Sequence, residues 1–219
     1  MDQFELRECV DNGCALRFPM LVGERLPGGR CPQCGAATLV VHTWSTTVEA
    51  AKELVARRSL PFCGLVDNVR SIFNVGSIFR SADGTGLQQL YLCGISPTPA
   101  HPKLRKTALG AEDSVKWSQH ANALHLARDL KAKGHQLWAL EEHPQAKSLF
   151  QVEFTVQPSQ FAPITLVVGN ERAGVDPDLL ALCEQIIAIP MRGNKQSLNV
   201  ATAFGIAAYL LAQRMPEER

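Results

Sequence analysis

Short hydrophobic runs separated by polar loops mark the C-terminal third of the chain. Two β-branched runs, Ile164–Val168 and Ile186–Ile189, are each followed by a polar, glycine-bearing loop and then by a helix-forming segment. Runs of this length that are apolar throughout predict parallel strands covered on both faces. In open α/β sheets, ligands bind at the loops that follow the carboxyl ends of the strands. The loops at residues 169–174 and 190–196 are therefore the first candidates for a functional site.

The same patterns predict the rest of an α/β domain with a parallel sheet. The last apolar segment, Val200–Leu211, has almost no polar side, which predicts a helix buried on more than one side, inside the domain or in a subunit interface. Further strands are expected at Cys63–Val66, Leu90–Gly94 and Gln136–Leu140, and an amphipathic helix at His120–Lys133.

The N-terminal segment has a different character because cysteines are concentrated in it. Four of the seven cysteines lie within the first 34 residues: Cys9, Cys14, Cys31 and Cys34. Four thiolates in two spaced pairs match a structural zinc ribbon, a closed tetrahedral site. A module of this size has too little core to fold unaided, so the metal would supply the missing stability. The alternative is four reduced thiols in an ordinary small domain.

These patterns divide the chain into three parts. We expect a zinc-ribbon-like module at residues 1–44, a helical linker at 45–59 and the main α/β domain at 60–219. The linker prediction rests on the helix formers of residues 47–58. The other cysteines, Cys63, Cys93 and Cys183, stand in apolar surroundings and are expected to be inert core residues.

Overall composition is that of an ordinary globular protein, and only local charge points to a partner. The 219 residues carry a net charge of +1, and no apolar run approaches the ~20 residues of a membrane span. The acidic N-terminus does not resemble a signal peptide, so we expect a cytoplasmic protein with no membrane contact. Residues 57–116 hold eight basic and four acidic side chains. Phosphate contacts or a merely solvated loop explain this excess equally well; the candidates are Arg70, Lys103, Arg105, Lys106 and Lys116.

A polar segment after the first main-domain strand predicts a ligand-binding helix terminus. Asn74 and Gly76 suit a helix N-terminus that a ligand approaches closely, and Arg80, six positions later, is expected nearly to face Asn74. The alternative for Arg80 is an ion pair with Asp83 on the same helix. No Gly-x-Gly-x-x-Gly follows a strand, which counts against an ordinary Rossmann cofactor domain.

Three segments together resemble the SpoU-type (TrmH-like) RNA ribose methyltransferases of the SPOUT superfamily. The family's motifs are similar to Asn74–Arg80, to Leu166–Glu171 and to the stretch from Ile189 to Ala201 that contains Ser-Leu-Asn. The resemblance extends over residues 60–211. This chain departs from many relatives at Ile72-Phe73, where they carry an acidic residue and proline.

The resemblance implies a fold, a cofactor and an assembly. The fold would be an α/β-knot, a deep trefoil knot in the parallel sheet, and the assembly a homodimer with its active sites near the interface. S-adenosylmethionine would be bound in the knotted loops. The residues implied for its binding are Val168, Gly169, Asn170, Ile189, Met191, Ser197 and Leu198.

The reaction implied is methyl transfer to a ribose 2′-hydroxyl of tRNA or rRNA. The residues implied for catalysis are Arg80, Asn74, Glu171, Ser197 and Asn199. Because the guanidinium of arginine stays protonated at neutral pH, we expect Arg80 to stabilise the developing alkoxide rather than act as a base. Alternatively, Glu171 and Asn199 would merely cap the helices that follow them. Two alternatives to ribose methylation are that the chain is a non-catalytic RNA-binding or scaffold protein, or that it is a methyltransferase acting on a base nitrogen.

Overall fold

The computed structural model describes residues 2–24, 30–46, 60–152 and 162–215. The chain divides into two compact units, residues 1–56 and 57–219. The helix predicted at residues 47–58 lies outside the described residues. Residues 45 and 46, which we assigned to the linker, belong instead to the last strand of the first unit.

The first unit is a three-stranded antiparallel sheet in the order β2-β1-β3, formed by β1 (Asp2–Cys9), β2 (Arg17–Leu21) and β3 (Thr38–Thr46). Phe4 and Trp44 face each other across β1 and β3, with ring centroids 5.7 Å apart. This cross-strand aromatic pair packs two half-buried rings together and stabilises a sheet that is otherwise thin.

The second unit contains a seven-stranded parallel sheet in the order β6-β5-β4-β9-β7-β10-β8. Its strands are β4 (Leu60–Asp67), β5 (Leu87–Cys93), β6 (Trp117–His120), β7 (Gln136–Leu140), β8 (Lys147–Ser148), β9 (Ile164–Val168) and β10 (Gln185–Ala188). Its helices are α1 (Ile72–Thr85), α2 (Pro102–Ala108), α3 (Ala111–Ser114), α4 (Ala123–Ala132), α5 (Pro177–Ala181) and α6 (Val200–Arg214). Every residue of β9 is buried, as expected for a central parallel strand.

The predicted strands at Gln136–Leu140 and Ile164–Val168 agree with the structure residue for residue. The predicted helix at 120–133 begins three residues late, because the side chain of Asn122 accepts a hydrogen bond from the N–H of His125 and caps α4. His120 itself ends the short strand β6, which the sequence patterns did not indicate.

Gly76 does not serve the close ligand approach that we predicted for it. Helix α1 begins at Ile72 with Ser71 as its N-cap, which places Gly76 in the second turn. A Cβ at Gly76 would lie 2.6 Å from the Cβ of Thr107 and 3.1 Å from the backbone nitrogen of Ala108. The missing side chain therefore allows α1 to pack closely against α2.

Helices cover both faces of the sheet. One core contains side chains of α1, α2 and α6, and a second contains side chains of α4 and α5. Within the chain, α6 is buried along Ala201, Phe204, Ala207, Ala208 and Leu211, whereas Tyr209 is 49% exposed. Among the described helices, none has the length and apolar character that crossing a membrane requires.

The three cysteines outside the N-terminal cluster occupy unreactive positions. Cys63 and Cys93 are buried in β4 and β5, and Cys183 is half-buried after α5. Burial raises the pKa of Cys63 to about 11 and the pKa of Cys93 and of Cys183 to about 12. These groups therefore remain protonated thiols at neutral pH and are poor nucleophiles.

Candidate active site

A cavity of about 340 Å³ opens at the carboxyl edge of the sheet, beside β7, β9 and β10. These three strands are neighbours, so the segments that follow them meet at one edge. All seven residues predicted to bind the cofactor line this cavity: Val168, Gly169, Asn170, Ile189, Met191, Ser197 and Leu198.

The loop after β9 is held in a tight shape by its own backbone. Asn170 and Gly174 exchange two backbone hydrogen bonds of 2.9 Å each. The side chain of Asn170 donates to the carbonyl of Asn68 at 2.7 Å, which fastens the loop to the end of β4. A Cβ at Gly169 would collide with the carbonyl of Gly174, so the loop requires glycine there.

Glu171 connects this loop to the start of α1. Its carboxylate accepts hydrogen bonds from the backbone N–H groups of Arg70 (3.0 Å) and Ser71 (2.9 Å) and from the side-chain amide of Asn74 (3.0 Å). Partial burial by itself would raise the pKa of Glu171, but these N–H donors outweigh it and lower the pKa below its usual value. Glu171 therefore satisfies the beginning of α1 and not, as the alternative had it, the helix that follows it.

Asn199 both caps a helix and joins the same polar network. Its side-chain oxygen accepts from the N–H groups of Ala201 (2.9 Å) and Thr202 (3.3 Å) at the start of α6. Its side-chain amide donates to the side-chain oxygen of Asn74 at 2.9 Å. Glu171, Asn74 and Asn199 thus form a continuous chain of hydrogen bonds across the three motif segments.

Two of the predicted catalytic residues, Asn74 and Arg80, do not line the cavity. Asn74 is connected to it through Glu171 and Asn199, whereas Arg80 is not. Arg80 is exposed on α1 and forms no hydrogen bond or ion pair with the residues that the structure describes. Six helical residues correspond to about 600° of rotation, so Arg80 points roughly 120° away from Asn74 instead of nearly facing it. The alternative ion pair is absent too, and Asp83 accepts a hydrogen bond from Ser114.

The sequence patterns missed Glu141 and Glu142, which directly follow β7 and line the cavity. The carboxylate of Glu141 accepts a hydrogen bond from the N–H of Val175 at 2.8 Å, in the segment after β9. Ligands generally bind beyond the carboxyl ends of parallel strands, so the position of both residues directly after the predicted strand Gln136–Leu140 could have indicated them. That β7 lies between β9 and β10, however, is visible only in the sheet.

The basic residues predicted to bind RNA are all exposed, but their charges are not equally free. Lys103, Arg105 and Lys106 lie on α2. Arg105 is paired with Asp113 at 3.1 Å and lies 3.7 Å from Glu112, which offsets its charge. Lys116 and the side chain of Arg70 have no ion-pair partner among the described residues.

The four N-terminal cysteines converge in the first unit. The sulfurs of Cys9 and Cys34 are 3.4 Å apart, those of Cys14 and Cys31 are 3.8 Å apart, and all four lie within 4.8 Å of one another. Tetrahedral zinc with bonds of about 2.3 Å places its sulfur ligands roughly 3.8 Å apart. The donor set therefore fits a closed four-thiolate metal site.

Comparison with known proteins agrees with this geometry. A family model described as the SpoU rRNA methylase family matches residues 62–209, which contain all three motif segments and the cavity. The chain belongs to the SpoU rRNA methylase family. The match begins within β4 and excludes the cysteine-bearing unit, which is an addition to the SpoU domain.

Two relatives of this SpoU-family chain act on different RNAs. It is 30% identical over 174 residues to a tRNA (guanosine(18)-2′-O)-methyltransferase of Aquifex aeolicus, covering 77% of this chain and 76% of the relative. It is 29% identical over 178 residues to the 23S rRNA (guanosine-2′-O-)-methyltransferase RlmB of Haemophilus influenzae, covering 77% and 70%.

Solved SpoU structures have the same fold. The TrmH/SpoU tRNA modifying enzyme of A. aeolicus matches with a TM-score of 0.63 and 28% identity, over 72% of this chain and 77% of that one. The SpoU methyltransferase AviRb from Streptomyces viridochromogenes, in complex with AdoMet, matches with a TM-score of 0.60 and 28% identity, over 75% of this chain and 63% of that one.

Proposed function

We propose that this protein is an S-adenosylmethionine-dependent methyltransferase that modifies a ribose 2′-hydroxyl of tRNA or rRNA. The observation that carries the proposal is the junction of three motif segments at one cavity, through Glu171, Asn74 and Asn199. The relatives named above support it, since they are 2′-O-methyltransferases of tRNA and of 23S rRNA.

The residues around the cavity fit S-adenosylmethionine. The volume of the cavity, about 340 Å³, lies in the range of small-molecule sites. Within the described chain, residues 191–198 form no backbone hydrogen bonds, so their N–H and C=O groups are available to a polar ligand. When bound, the cofactor supplies an electrophilic methyl group on a positively charged sulfonium. The apolar side chains of Ile189, Met191 and Leu198 favour a transition state in which that charge is being lost.

Each polar residue then has a role that follows from its position. Glu171 holds the start of α1, and Asn74 and Asn199 orient the ribose at the edge of the cavity. Ser197, which lines the cavity, closes it beside the reacting groups. Arg80 does not reach the cavity of its own chain. Its role, to hold the RNA phosphate and stabilise the alkoxide that develops on the 2′-oxygen, therefore requires a homodimer to bring its guanidinium to the cavity of the other subunit.

We also propose that the protein is a homodimer with a trefoil knot in its second unit and that it acts in the cytoplasm. The dimer is supported by the uncovered side of α6, where Tyr209 is 49% exposed and Ile206 and Leu210 are only partly buried. A helix so apolar is expected to be covered on that side as well. The knot rests on membership of the SpoU family.

The first unit is proposed to be a zinc-ribbon-like module that residues 47–59 join to the methyltransferase domain. The four converging thiols of Cys9, Cys14, Cys31 and Cys34 support structural zinc. Residues 1–43 contain four basic and five acidic side chains, so electrostatic attraction gives this module no advantage in binding RNA.

Two alternative functions make different predictions. A non-catalytic RNA-binding or scaffold protein would not need Asn74, Glu171 and Asn199 joined at the rim of a cavity. A methyltransferase acting on a base nitrogen would leave the ribose unmodified. Only ribose methylation makes the adjoining phosphodiester resistant to alkali and to nucleases that require the 2′-hydroxyl.

The test is to incubate the protein with S-adenosylmethionine carrying a labelled methyl group and with total tRNA or rRNA. We expect label in nuclease-resistant dinucleotides. Arg80→Ala should remove this activity while calorimetry still detects cofactor binding, because Arg80 lies outside the cavity. The matched control is Arg128→Ala, which removes an exposed arginine from α4. Label in a base, or full activity of Arg80→Ala, would contradict the proposed chemistry.

A further inference from the structure

The carboxylate of Glu141 lies where three strands end beside the cavity. Glu141 directly follows β7, and its backbone N–H donates to the carbonyl of Ile187 in β10 at 3.0 Å. Its side chain reaches in the other direction and accepts from the N–H of Val175, which follows the loop after β9. One residue therefore connects the ends of β7 and β10 to the loop whose backbone lines the cavity.

Both oxygens of this carboxylate are used by backbone donors. One accepts from Val175 at 2.8 Å and the other from Glu142 at 3.0 Å. Val175 is only 5% exposed, so water has little access to replace a lost partner. Hydrogen bonds to a charged acceptor are stronger than those between neutral groups, and leaving a buried N–H unpaired is costly.

The loop is shaped to fit this carboxylate. Gly174 has a φ of +75°, and a Cβ at that position would lie 2.6 Å from the nearer carboxylate oxygen of Glu141. A side chain at residue 174 would therefore be strained by its backbone and blocked by Glu141. Gly174 is also the residue that exchanges two backbone hydrogen bonds with Asn170.

We propose that Glu141 is a positioning residue for the methyl donor, because its carboxylate holds the loop at residues 169–175 in the shape that receives the cofactor. The inference rests on the proposed function for the identity of the ligand. The loop is fastened on its opposite side by Glu171 and Asn170, which bind the start of α1 and the end of β4. Loss of the Glu141 contact frees only the side next to β7. Cofactor affinity therefore falls, whereas the reacting groups stay in place.

The chain supplies a matched control at the other end of the same strand. Glu184 accepts a hydrogen bond from the N–H of Leu137 at 2.6 Å and pairs with Lys131 at 2.7 Å. This is again a carboxylate bound to a backbone N–H beside β7, but Glu184 does not line the cavity. Glu184→Ala therefore reports the general cost of losing such a bond.

The experiment compares Glu141→Ala, Glu141→Gln and Glu184→Ala with the unaltered full-length protein. Calorimetry gives the Kd for S-adenosylmethionine, and steady-state assays give its KM and kcat. We expect Glu141→Ala to raise Kd and KM about tenfold or more, with kcat at saturating cofactor within about twofold. Glu141→Gln retains one acceptor oxygen and should give a smaller rise. Glu184→Ala should lower the melting temperature and leave Kd unchanged.

Hydrogen exchange in the ligand-free protein tests the same contact without any cofactor. Exchange of the Val175 and Gly174 amides should accelerate in Glu141→Ala and remain at the original rate in Glu184→Ala. An unchanged exchange rate, an unchanged Kd, or an equal rise of Kd in both alanine variants overturns the role of Glu141. If the unaltered protein does not bind S-adenosylmethionine, the proposed function fails, and the exchange rates still decide whether Glu141 holds the loop at residues 169–175.

Discussion

Glu171 illustrates how one side chain joins distant parts of the site. Its carboxylate accepts hydrogen bonds from two backbone N–H groups at the beginning of α1, where the helix dipole also favours a negative charge. It further holds the amide of Asn74, which in turn accepts from Asn199. The ionised form of Glu171 is therefore required both for the start of α1 and for the orientation of Asn74.

The lowered pKa of Glu171 makes a prediction about stability and pH. A carboxylate whose pKa is lower in the folded state stabilises that state above its unfolded pKa, about 4.5, and loses this contribution as pH falls through the folded value. We expect Glu171→Gln to lower the melting temperature by a constant amount between neutral pH and about 4.5. The difference should shrink on further acidification.

Calorimetric melting of both proteins across this pH range measures the effect. Glu142→Gln is the control for stability, because its carboxylate is exposed and has no partner among the described residues. A difference that stays constant below the folded pKa would show that the loss comes from the shape of the side chain rather than from its charge.

Helix α2 presents the basic residues of the predicted RNA-binding surface. Thr107 and Ala108 pack closely on α1 at Gly76, and Leu104 and Ala108 are the buried residues of α2. The charged side chains of Lys103 and Lys106 remain in solvent, whereas the charge of Arg105 is offset by Glu112 and Asp113.

This difference between neighbouring residues makes a prediction about RNA binding. The double variant Lys103→Ala/Lys106→Ala should weaken the binding of tRNA or rRNA and reduce the slope of log affinity against log salt by about one or two, because counterion release is lost. Arg105→Ala should have a smaller effect, because its guanidinium is engaged by Asp113 and Glu112 and is not free to contact phosphate. Filter binding at several salt concentrations measures both. Equal effects of all three substitutions would contradict a role for free charge.

The molecule combines a SpoU domain with a small unit that has little core of its own. Among the described residues of the first unit, only Cys9 and Cys31 are buried. Apolar burial alone is insufficient to stabilise so small a sheet, so a bound metal would supply the cross-links that hold its loops together.

We predict that the purified protein contains about one zinc per chain and that Cys31→Ser loses it. The first unit should then become sensitive to protease, while the second unit, which has its own core, should still bind S-adenosylmethionine. Metal analysis by mass spectrometry and limited proteolysis measure these outcomes, with Cys183→Ser as the control outside the cluster. A metal-free protein with an intact, protease-resistant first unit would exclude structural zinc.

Local patterns in the sequence were sufficient for the central strands and for the loops that line the cavity, whereas the individual site residues were implied by the family resemblance. The apolar runs of β7 and β9 and the cap at Asn199 depend on neighbouring residues only, and so do the cysteine pairs. Short elements were missed, including β6 and α2, because four to seven residues show too little periodicity. The direction of Arg80 was mispredicted, although helix geometry alone decides it.

The sequence by itself determined which residue types stand at the ends of the strands and which strands are buried. Only the tertiary structure decided how they meet, because Asn74 binds partners 97 and 125 positions away in the chain. It also placed β7 between β9 and β10, which brought Glu141 to Val175. Contacts of this kind depend on the order of strands in the sheet, and that order follows from the packing of the whole domain rather than from any local pattern.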